Sequence, residues 1–514
     1  MGKQEKEFLL TKIVCTLGPA SAEESVIEQL IQEGARVFRI NFSHGTFDEY
    51  ERLFHLVRGA SQKLHIPVAV LGDLSGPKIR VGKVVDGGVD LQVGQLVAFQ
   101  KEPIETQELT SGHVTFSTTY PNFCDEVSPG EKILLDDGFV HLSCQEKQEG
   151  RLICRVETGG IISSSKGVNL PDSDLSVPAL TEKDISCVEF AVSKGFDYLA
   201  LSFVRKPEDV RQLKDLLRQL GARAIDRSPF SQIEPSVDEL EDHVEETIPV
   251  ISKIEKPQAV ENLEEILRET DAIMVARGDL GVEMDLAKVA VTQKRIIKLC
   301  REYGIPCIVA TQMLQSMIDS PTPTRAEVSD VANAILDGAD AVMLSGETAV
   351  GKYPVEAVRM MNRIAIRSNA FLKTEPLAPP SLSSLQDSER YRRTAALAKS
   401  VYTVVKEMDA KFIIVWSHFG GAAVYLSQQR ITRPILYFSP FESALRKTAL
   451  LYAIDPNYMP SQSSNTLFFQ RVDQWLLEQQ WAEKGDTVVF IVSEPITRTN
   501  VTNEMVIHNL GEPI

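Results

Sequence analysis

Two acidic residues and a lysine stand where they could hold a cation and an anion together. Lys253 and Glu255 lie two residues apart in the apolar run PVISKIE, and Asp279 ends the run DAIMVARGD. Residues i and i+2 of a β-strand share a face, so Lys253 and Glu255 point the same way. Two carboxylates at neighbouring strand ends can share one hard cation through oxygen ligands. With the nearby Arg277, this set suits phosphoryl groups, whose transfer depends on positioning and charge neutralisation.

The elements that position these side chains follow from the alternation of patterns along the chain. Eight short, nearly continuous apolar runs alternate with helical patterns, as is typical of parallel strands buried on both faces. The predicted strands are 12–18, 36–41, 67–73, 197–203, 249–255, 271–279, 306–312 and 340–347. The helical patterns lie at 22–34, 48–62, 183–195, 206–220, 257–269, 287–303, 325–337 and 354–369. Eight β/α units predict an α/β fold of the (β/α)8 TIM-barrel class.

Polar residues end seven of the eight predicted strands, the second to the eighth. In such a barrel the chemistry lies at the C-terminal ends of the strands. Besides the three residues above, these ends carry Arg39, Asn41, Ser43, Asp73, Ser75, Ser202, Arg205, Thr311, Gln312, Ser345 and Glu347. We therefore expect one polar site at this end of the barrel.

Two further domains are predicted around the barrel. Residues 85–170 are rich in glycine, turn signals and short alternating runs, which predicts a small β domain inserted after the third strand. The barrel would then comprise 1–84 and 171–370. Beyond a proline-containing linker, residues 371–514 predict a separate C-terminal α/β domain, with a helix at 388–406 and strands at 411–416, 433–438 and 485–492.

Composition excludes several classes of protein. The 514 residues carry a formal net charge of −17, which argues against non-specific nucleic-acid binding because that needs a basic surface. Seven cysteines without CxxC pairs argue against a disulfide framework or a zinc site. The N-terminus lacks a signal-peptide pattern, and no apolar stretch approaches the roughly 20 residues of a membrane span. The sequence predicts a soluble, cytoplasmic protein with no membrane partner.

Plainer interpretations of the same residues compete with catalysis. Lys253 and Glu255 could form a structural ion pair inside the barrel, and a single strand-end aspartate or threonine is often a helix cap. Neither of the common glycine-rich nucleotide motifs, GxxxxGK[ST] and GxGxxG, occurs. The residues alone predict a metal-dependent barrel enzyme that acts on a phosphorylated or carboxylate anion.

Longer blocks of the sequence resemble the pyruvate kinase family. They are TKIVCTLGPAS (11–21), FRINFSHG (38–45), KGVNLPD (166–172), VISKIEKPQAV (250–260), MVARGDLGVEM (274–284) and a long, specific block at 310–357. The resemblance covers about 11–370 and is weaker across 371–514. It implies transfer of a phosphoryl group from phosphoenolpyruvate to ADP, giving pyruvate and ATP in glycolysis. It also implies dependence on Mg²⁺ (or Mn²⁺), and a homotetramer.

The resemblance also implies roles for individual residues. Glu255 and Asp279 would bind magnesium, Lys253 would bridge the transferring phosphoryl group, and Arg39 would bind the substrate phosphate. Thr311 and Ser345 would lie near the enolate carbon and its proton relay, and Gly278 with Asp279 at a helix start would bind the substrate carboxylate. The implied nucleotide contacts are Asn41, His44, Arg80 and Lys166, with Pro19 and Tyr50 near the base. The β domain at 85–170 would be a small β-barrel lid that closes over the substrates and limits hydrolysis, and the α/β domain at 371–514 would be of regulatory type.

One departure from the family pattern concerns a monovalent cation. The family commonly builds an oxygen site for potassium from an Asn, a Ser, an Asp and a Thr, with a Glu close by. Asn41, Ser43 and Asp73 keep their positions, but Leu74 replaces the Thr and Lys78 replaces the Glu. Family members with this Leu and Lys are potassium-independent, so we expect a vestigial site with Lys78 as an internal cation and no requirement for potassium.

Two other departures lie elsewhere. An acidic insertion at about 221–247 separates strands four and five, and its plainest interpretation is a solvated surface segment. The loop that usually binds an effector phosphate becomes SHFGGAA at 417–423, without an arginine and with few hydroxyls. We therefore doubt that fructose 1,6-bisphosphate is the effector.

Two alternatives from other classes stay open at this point. A catalytically silent relative would serve regulation or assembly, although all the matched catalytic residues are present. A barrel lyase of the aldolase or citrate-lyase type also uses Glu and Asp on magnesium, but it would lack KGVNLPD and the 310–357 block.

Overall fold

The barrel begins with the predicted alternation of strands and helices. A computed structural model describes residues 7–106, 114–148, 150–173, 175–222, 248–380, 389–498 and 502–513. The first elements are β1 (Lys12–Thr16), α1 (Glu24–Gln32), β2 (Ala35–Asn41), α2 (Phe47–Leu64) and β3 (Ala69–Asp73). Helix α2 begins after Thr46, whose hydroxyl accepts from the N–H of Glu49 while the Glu49 carboxylate returns to the Thr46 N–H.

The lid follows β3 and is all but free of helix. Its elements are β4 (Val89–Leu91), β5 (Leu96–Gln100), β6 (Val114–Phe116), α3 (Phe123–Glu126), β7 (Lys132–Leu135), β8 (Val140–Gln148), β9 (Arg151–Thr158), β10 (Gly160–Ile162) and β11 (Val168–Asn169). Six strands pair in the order β11-β7-β8-β9-β5-β6, and β10 pairs with β4. Both sheets share one apolar core, and the six-stranded sheet stays open as a half-barrel.

The barrel resumes after the lid and closes. Its remaining elements are α4 (Glu182–Lys194), β12 (Tyr198–Leu201), α5 (Pro207–Gln219), β13 (Val250–Ile254), α6 (Pro257–Glu261), α7 (Leu263–Glu269), β14 (Ala272–Ala276), α8 (Arg277–Glu283), α9 (Leu286–Tyr303), β15 (Cys307–Ala310), α10 (Arg325–Asp337), β16 (Ala341–Leu344), α11 (Gly346–Ala349) and α12 (Pro354–Thr374). Eight parallel strands close in the order β1-β16-β15-β14-β13-β12-β3-β2. The predicted (β/α)8 barrel is confirmed.

The C-terminal domain is a five-stranded α/β sheet. Its elements are α13 (Glu389–Glu407), β17 (Phe412–Trp416), α14 (Gly421–Gln428), β18 (Ile435–Ser439), α15 (Glu442–Thr448), β19 (Ile454–Tyr458), α16 (Asn465–Glu478), β20 (Thr487–Val492) and β21 (Glu504–Asn509). The strand order is β19-β18-β17-β20-β21, with β21 antiparallel. Among the described residues, no helix is long and apolar enough to cross a membrane.

Several predicted boundaries were wrong for identifiable reasons. The pattern at 257–269 is two helices rather than one, because the chain breaks helical geometry at Asn262. The predicted strand 271–279 ends at Ala276, and helix α8 begins at once. Strands β19 and β21 were not predicted, since Pro456 interrupts the first pattern and the second lies at a half-exposed sheet edge. Most of the acidic insertion lies outside the described residues.

Buried polar contacts join the C-terminal domain to the end of the barrel opposite the strand C-termini. Asp340, just before β16, accepts hydrogen bonds from Arg430 Nη1 at 3.0 Å and Nη2 at 2.7 Å. Asp197, just before β12, accepts from Arg446 Nε at 2.9 Å. Lys12 Nζ, at the start of β1, donates to the carbonyl of Ile454 at 2.6 Å. The two domains therefore meet through charged side chains that the contact largely buries.

Candidate active site

Lys253 lies at the centre of a charged cluster at the C-terminal ends of the strands. Its Nζ is 2.8 Å from Glu255 Oε1 and 3.5 Å from Asp73 Oδ1, and it donates to Ser202 Oγ at 2.8 Å. These partners come from β13 and from the ends of β3 and β12, which are neighbours in the barrel. The predicted shared face of Lys253 and Glu255 is therefore present, and it points into a site with two further strand ends.

Asp73 is the second shared group of the cluster. Arg39 Nε donates to Asp73 Oδ2 at 2.6 Å, and Arg39 Nη1 donates to the hydroxyl of Thr16 at 3.1 Å. Asp73 is buried at 1% exposure, whereas the Arg39 and Lys253 side chains are each 12% exposed. The Asp73 carboxylate thus holds Arg39 and Lys253 in place, and the exposed parts of these two side chains face the mouth of the barrel.

The charges of the cluster depend on one another. Burial raises the pKa of Asp73, but Lys253 and Arg39 outweigh it and hold that pKa below its usual value. Burial also opposes the charged form of Lys253, yet Asp73 and Glu255 keep its pKa above the ordinary range. For Glu255, burial dominates over the attraction of Lys253 and raises the pKa. At neutral pH, Lys253 is therefore a charged group.

A cavity of about 310 Å³ opens over this cluster. Five residues with predicted catalytic, substrate or metal roles line it together: Arg39, Lys253, Asp279, Thr311 and Ser345. Asn41 also lines the cavity. A space of this size, with convergent polar groups at the C-terminal face of a barrel, has the character of an active site.

Thr311 is held in an unusual backbone conformation at the edge of this cavity. Its φ is 72°, in the left-handed region that β-branched residues rarely adopt. The hydroxyl accepts from the Gly278 N–H at 2.7 Å and donates to the carbonyl of Ala310 at 2.6 Å. Gly278 does stand at the start of α8, as predicted, but a substrate carboxylate would have to compete with Thr311 for its N–H.

Ser345 follows β16, the neighbour of the strand that ends just before Thr311. Its N–H donates to Glu347 Oε2 at 2.7 Å, and Glu347 Oε1 accepts from the N–H of Leu314 at 3.0 Å. The Ser345 Oγ is buried and, within the described ranges, has no hydrogen-bond partner. Glu347 is thus a structural residue that fixes two loops, a role that its strand-end position alone did not reveal.

Glu255 and Asp279 are a pair of carboxylates whose chemistry suits a divalent cation. Glu255 Oε2 accepts from the Phe203 N–H at 2.7 Å, while Oε1 faces Lys253. The charge of Asp279 adds to the rise in the pKa of Glu255, so the two carboxylates repel each other. In the described part of the chain, no group of three or more His, Cys, Asp and Glu side chains could hold a metal. A two-carboxylate site leaves ligand positions for substrate and water, as Mg²⁺ prefers.

The predicted nucleotide residues of the barrel are only partly brought together. Asn41 Oδ1 accepts from the Ser43 N–H at 3.1 Å, and His44 and Pro19 are exposed nearby. Tyr50 is 3% exposed, and its hydroxyl donates to the carbonyls of Phe42 and Gly45. Tyr50 therefore packs beneath the loop rather than on its surface, and it holds the loop shape for the residues above it.

The predicted nucleotide residues near the lid pair with lid groups. Lys166 Nζ is 2.8 Å from Asp136 Oδ1, and Arg80 Nη1 donates to the carbonyl of Ser165 at 2.9 Å. Neither lines the cavity over Lys253. Both lie on segments that join the lid to the barrel, so a movement of the lid would carry them.

The residues of the predicted vestigial cation site occupy two adjoining strand ends, without Lys78. Leu74 is buried in the apolar core, and its carbonyl accepts from Ser202 Oγ at 2.7 Å. Lys78 Nζ lies 3.6 Å from Asp137 Oδ1 of the lid, whereas Asp73 pairs with Arg39 and Lys253. The positive charges beside Asp73 in this conformation are therefore those of Arg39 and Lys253.

Comparisons with known proteins agree with this geometry. Family models described as pyruvate kinase, barrel domain, match residues 9–234 and 230–358, and the model described as pyruvate kinase, alpha/beta domain, matches 395–508. A pyruvate kinase of Corynebacterium glutamicum is 40% identical over 98% of both chains. One of Mycobacterium tuberculosis is 38% identical over 98% of both. One of Geobacillus stearothermophilus is 37% identical over 98% of this chain and 80% of its own.

Proposed function

The chain belongs to the pyruvate kinase family, and from that premise we propose that the cluster around Lys253 transfers the phosphoryl group of phosphoenolpyruvate to ADP. The products are pyruvate and ATP, as in glycolysis. The observation that carries this assignment is the placement of Lys253 between Asp73 and Glu255, on a cavity that Arg39 and Asp279 also line. Two cations and three carboxylates converge there beside the space that an anionic substrate would fill.

Glu255 and Asp279 would hold Mg²⁺ (or Mn²⁺), which when bound neutralises the charge of the anionic substrates. Contacts within the chain position Glu255 and Asp279. The Phe203 N–H fixes one oxygen of Glu255, and the start of helix α8 presents Asp279. Lys253 and Arg39 bind the phosphoryl oxygens, and their charge offsets the negative charge that builds up during transfer.

Thr311 and Ser345 serve the carbon end of the substrate in this proposal. Both residues line the cavity over Lys253. The Ser345 Oγ is buried without a partner among the described residues, and a rotation of its side chain would present it to a proton-relay water in the cavity. The nucleotide would contact Asn41 and His44 on the barrel.

Arg80 and Lys166 would reach the same nucleotide from the segments that join the lid to the barrel. Closure of the lid would bring them over the cavity and exclude water from it. Pro19 would contact the nucleotide from its exposed position, whereas Tyr50 is buried and would act only by holding the shape of the loop above it.

The test of the proposed function is an assay coupled to lactate dehydrogenase on the purified protein. We expect pyruvate from phosphoenolpyruvate only when ADP is present, and loss of that activity when the divalent cation is chelated. A silent relative would give no pyruvate, and a lyase would act without ADP. Either result would overturn the proposal.

We expect this activity to need no potassium. Asp73 already faces two cations and Leu74 offers no hydroxyl. Lys78, which pairs with Asp137 of the lid in this conformation, would add a further positive charge when the lid closes, so a monovalent cation would be repelled. The measurement is turnover at constant ionic strength in sodium-free tetramethylammonium buffer, with and without potassium. Lys78→Glu should create a potassium requirement, whereas activation of the parent by about tenfold, a free-energy effect near 1.4 kcal/mol, would contradict the prediction.

Fructose 1,6-bisphosphate is expected to be a poor activator. The loop before α14 holds His418 and Phe419, and the Phe419 ring lies parallel to Phe441 with centroids 6.0 Å apart. Burial lowers the pKa of His418, so it is neutral at pH 7 and offers no charge to a phosphate. The measurement is the phosphoenolpyruvate saturation curve with and without the bisphosphate. A marked leftward shift at micromolar concentration would show that this loop does bind it.

We propose a homotetramer that uses one face of α9. Leu286 is 75% exposed and Val291 is 69% exposed, and with Ala287 and Ala290 they form an apolar stripe along the start of the helix. A second copy would cover this stripe by symmetry. Light scattering should give a mass near four chains of 57.0 kDa. Leu286→Arg should give smaller species, and a monomeric parent would contradict the proposal.

A further inference from the structure

The lid is tied to the barrel by a buried carboxylate, that of Glu283. Its side chain is 1% exposed, and its Oε1 accepts from Asn169 Nδ2 at 2.8 Å and from Lys256 Nζ at 3.1 Å. Asn169 ends strand β11 of the lid, whereas Glu283 and Lys256 belong to the barrel. We refer to Glu283, Lys256 and Asn169 as the hinge triad. One barrel carboxylate therefore holds a lid strand and a barrel cation together.

Each barrel member of the hinge triad stands beside a proposed magnesium ligand. Lys256 follows Glu255 directly in the chain. Glu283 lies four residues after Asp279 on α8, so the two share a face of that helix one turn apart. A displacement of the hinge triad therefore moves the backbone that carries both carboxylates.

The space beside the hinge triad is too small for a substrate. A cavity of about 40 Å³ is lined by the triad and by Asp279, Lys78 and Arg205. Such a volume has room for a few water molecules at about 10–15 Å³ each, and a nucleotide needs several times more. The triad thus acts between the lid and the active site, outside the substrate cavity.

Helix α8 also meets the lid at a second place. Gly138, in the turn between β7 and β8, comes so close that an added Cβ would lie 3.3 Å from Val282 Cγ1. Val282 precedes Glu283 on α8. The lid therefore bears on this helix at two points, and the same helix presents Asp279 to the active site.

We propose that the hinge triad couples the position of the lid to the placement of Glu255 and Asp279. Glu283 is then a positioning residue: it touches no substrate, and it acts through α8 and the segment after β13. The Asn169 hydrogen bond holds α8 in the arrangement that binds the cation, and a movement of the lid that breaks this bond would release α8 from it. This inference rests on the proposed roles of Glu255 and Asp279 as magnesium ligands.

The test removes the lid contact without changing charge. Asn169→Leu deletes the hydrogen bond to Glu283, and binding of Mn²⁺ to the protein without substrates is followed by electron paramagnetic resonance. We expect the dissociation constant of Mn²⁺ to rise about tenfold, as is typical when a partner of a ligand-bearing group is lost. In the coupled assay, the KM for ADP should rise more than kcat falls. A Ser143→Ala variant is the matched control, because it removes a hydrogen bond of 2.8 Å to Glu157 within the lid.

A double variant that exchanges the two side-chain types distinguishes coupling between the lid and the cation site from a general loss of structure. Asn169→Asp combined with Glu283→Gln exchanges the carboxylate and the amide at constant net charge, and it should restore Mn²⁺ affinity to within about threefold of the parent. By linkage, Mg²⁺ should slow hydrogen exchange of the β11 amides in the parent but not in Asn169→Leu. Parental Mn²⁺ affinity in Asn169→Leu, an equal loss in Ser143→Ala, or a swapped pair no better than Asn169→Leu would each overturn the proposal. A parent that binds Mn²⁺ but lacks phosphoryl transfer would instead refute the proposed function.

Discussion

Replacing Lys253 with methionine is expected to lower turnover at least about a hundredfold, because one preorganised charge at a transition state is worth on the order of 3 kcal/mol or more. The side chain keeps its length and loses only the ammonium that stands 2.8 Å from Glu255 Oε1. Asp73 keeps Arg39 as a partner, so the fold should persist. The measurement is kcat in the coupled assay, together with the melting temperature of the variant.

A buried lysine outside the site is the control for this variant. Lys214 Nζ lies 3.1 Å from Asp271 Oδ1, with its side chain 6% exposed, on the helical layer of the barrel. Lys214→Met should lose stability yet keep near-parental turnover per folded molecule. If Lys253→Met retained near-normal turnover, Lys253 would have no part in the chemistry, and the interpretation of Lys253–Glu255 as a structural ion pair would be correct.

Asp340→Ala is expected to destabilise the protein by about 3–5 kcal/mol, because it leaves a buried cation without its counter-ion. Arg430 is 3% exposed and donates two hydrogen bonds to Asp340, which also accepts from the Cys307 N–H at 2.8 Å. The substitution weakens the contact between the barrel and the C-terminal domain. Calorimetry should therefore show the domains melting at a lower temperature and in separate transitions.

An exposed ion pair within the C-terminal domain provides the comparison. Asp409 pairs with Arg433 and is 86% exposed. Asp409→Ala should change the free energy of unfolding by about 1 kcal/mol or less, as surface pairs do. Equal destabilisation by the two variants would mean that the Asp340–Arg430 contact contributes no more than a solvated pair.

The barrel could be predicted because its strands are buried on both faces. KIVCT is apolar at its three central positions and AIMVA at all five, and each barrel strand in the structure covers at least half of its predicted range. The charged cluster followed from the same pattern, since Lys253 and Glu255 share a face at a strand end. Strand β21 gave no such signal, because its exposed edge position removes the need for apolar residues.

The contacts that individual side chains make could not be predicted from their positions along the chain. Lys78 follows β3 closely, yet its ammonium reaches Asp137 in the lid, some 60 residues away in sequence. The Tyr50 hydroxyl turns back to its own loop, because two carbonyls there need donors. Glu283 and Asn169 lie 114 residues apart and meet only when lid and barrel fold together. Such contacts depend on tertiary structure and leave no local pattern.

At Thr311, the strained backbone and the proposed reaction favour different side chains. A β-branched residue with φ of 72° costs on the order of 1–3 kcal/mol relative to a relaxed conformation. Thr311→Gly would relieve that strain, but it would also delete the hydroxyl that accepts from the Gly278 N–H and donates to the Ala310 carbonyl. Laboratory selection for survival on heating, without a demand for activity, would act only on this balance and would not preserve the hydroxyl for the proposed reaction.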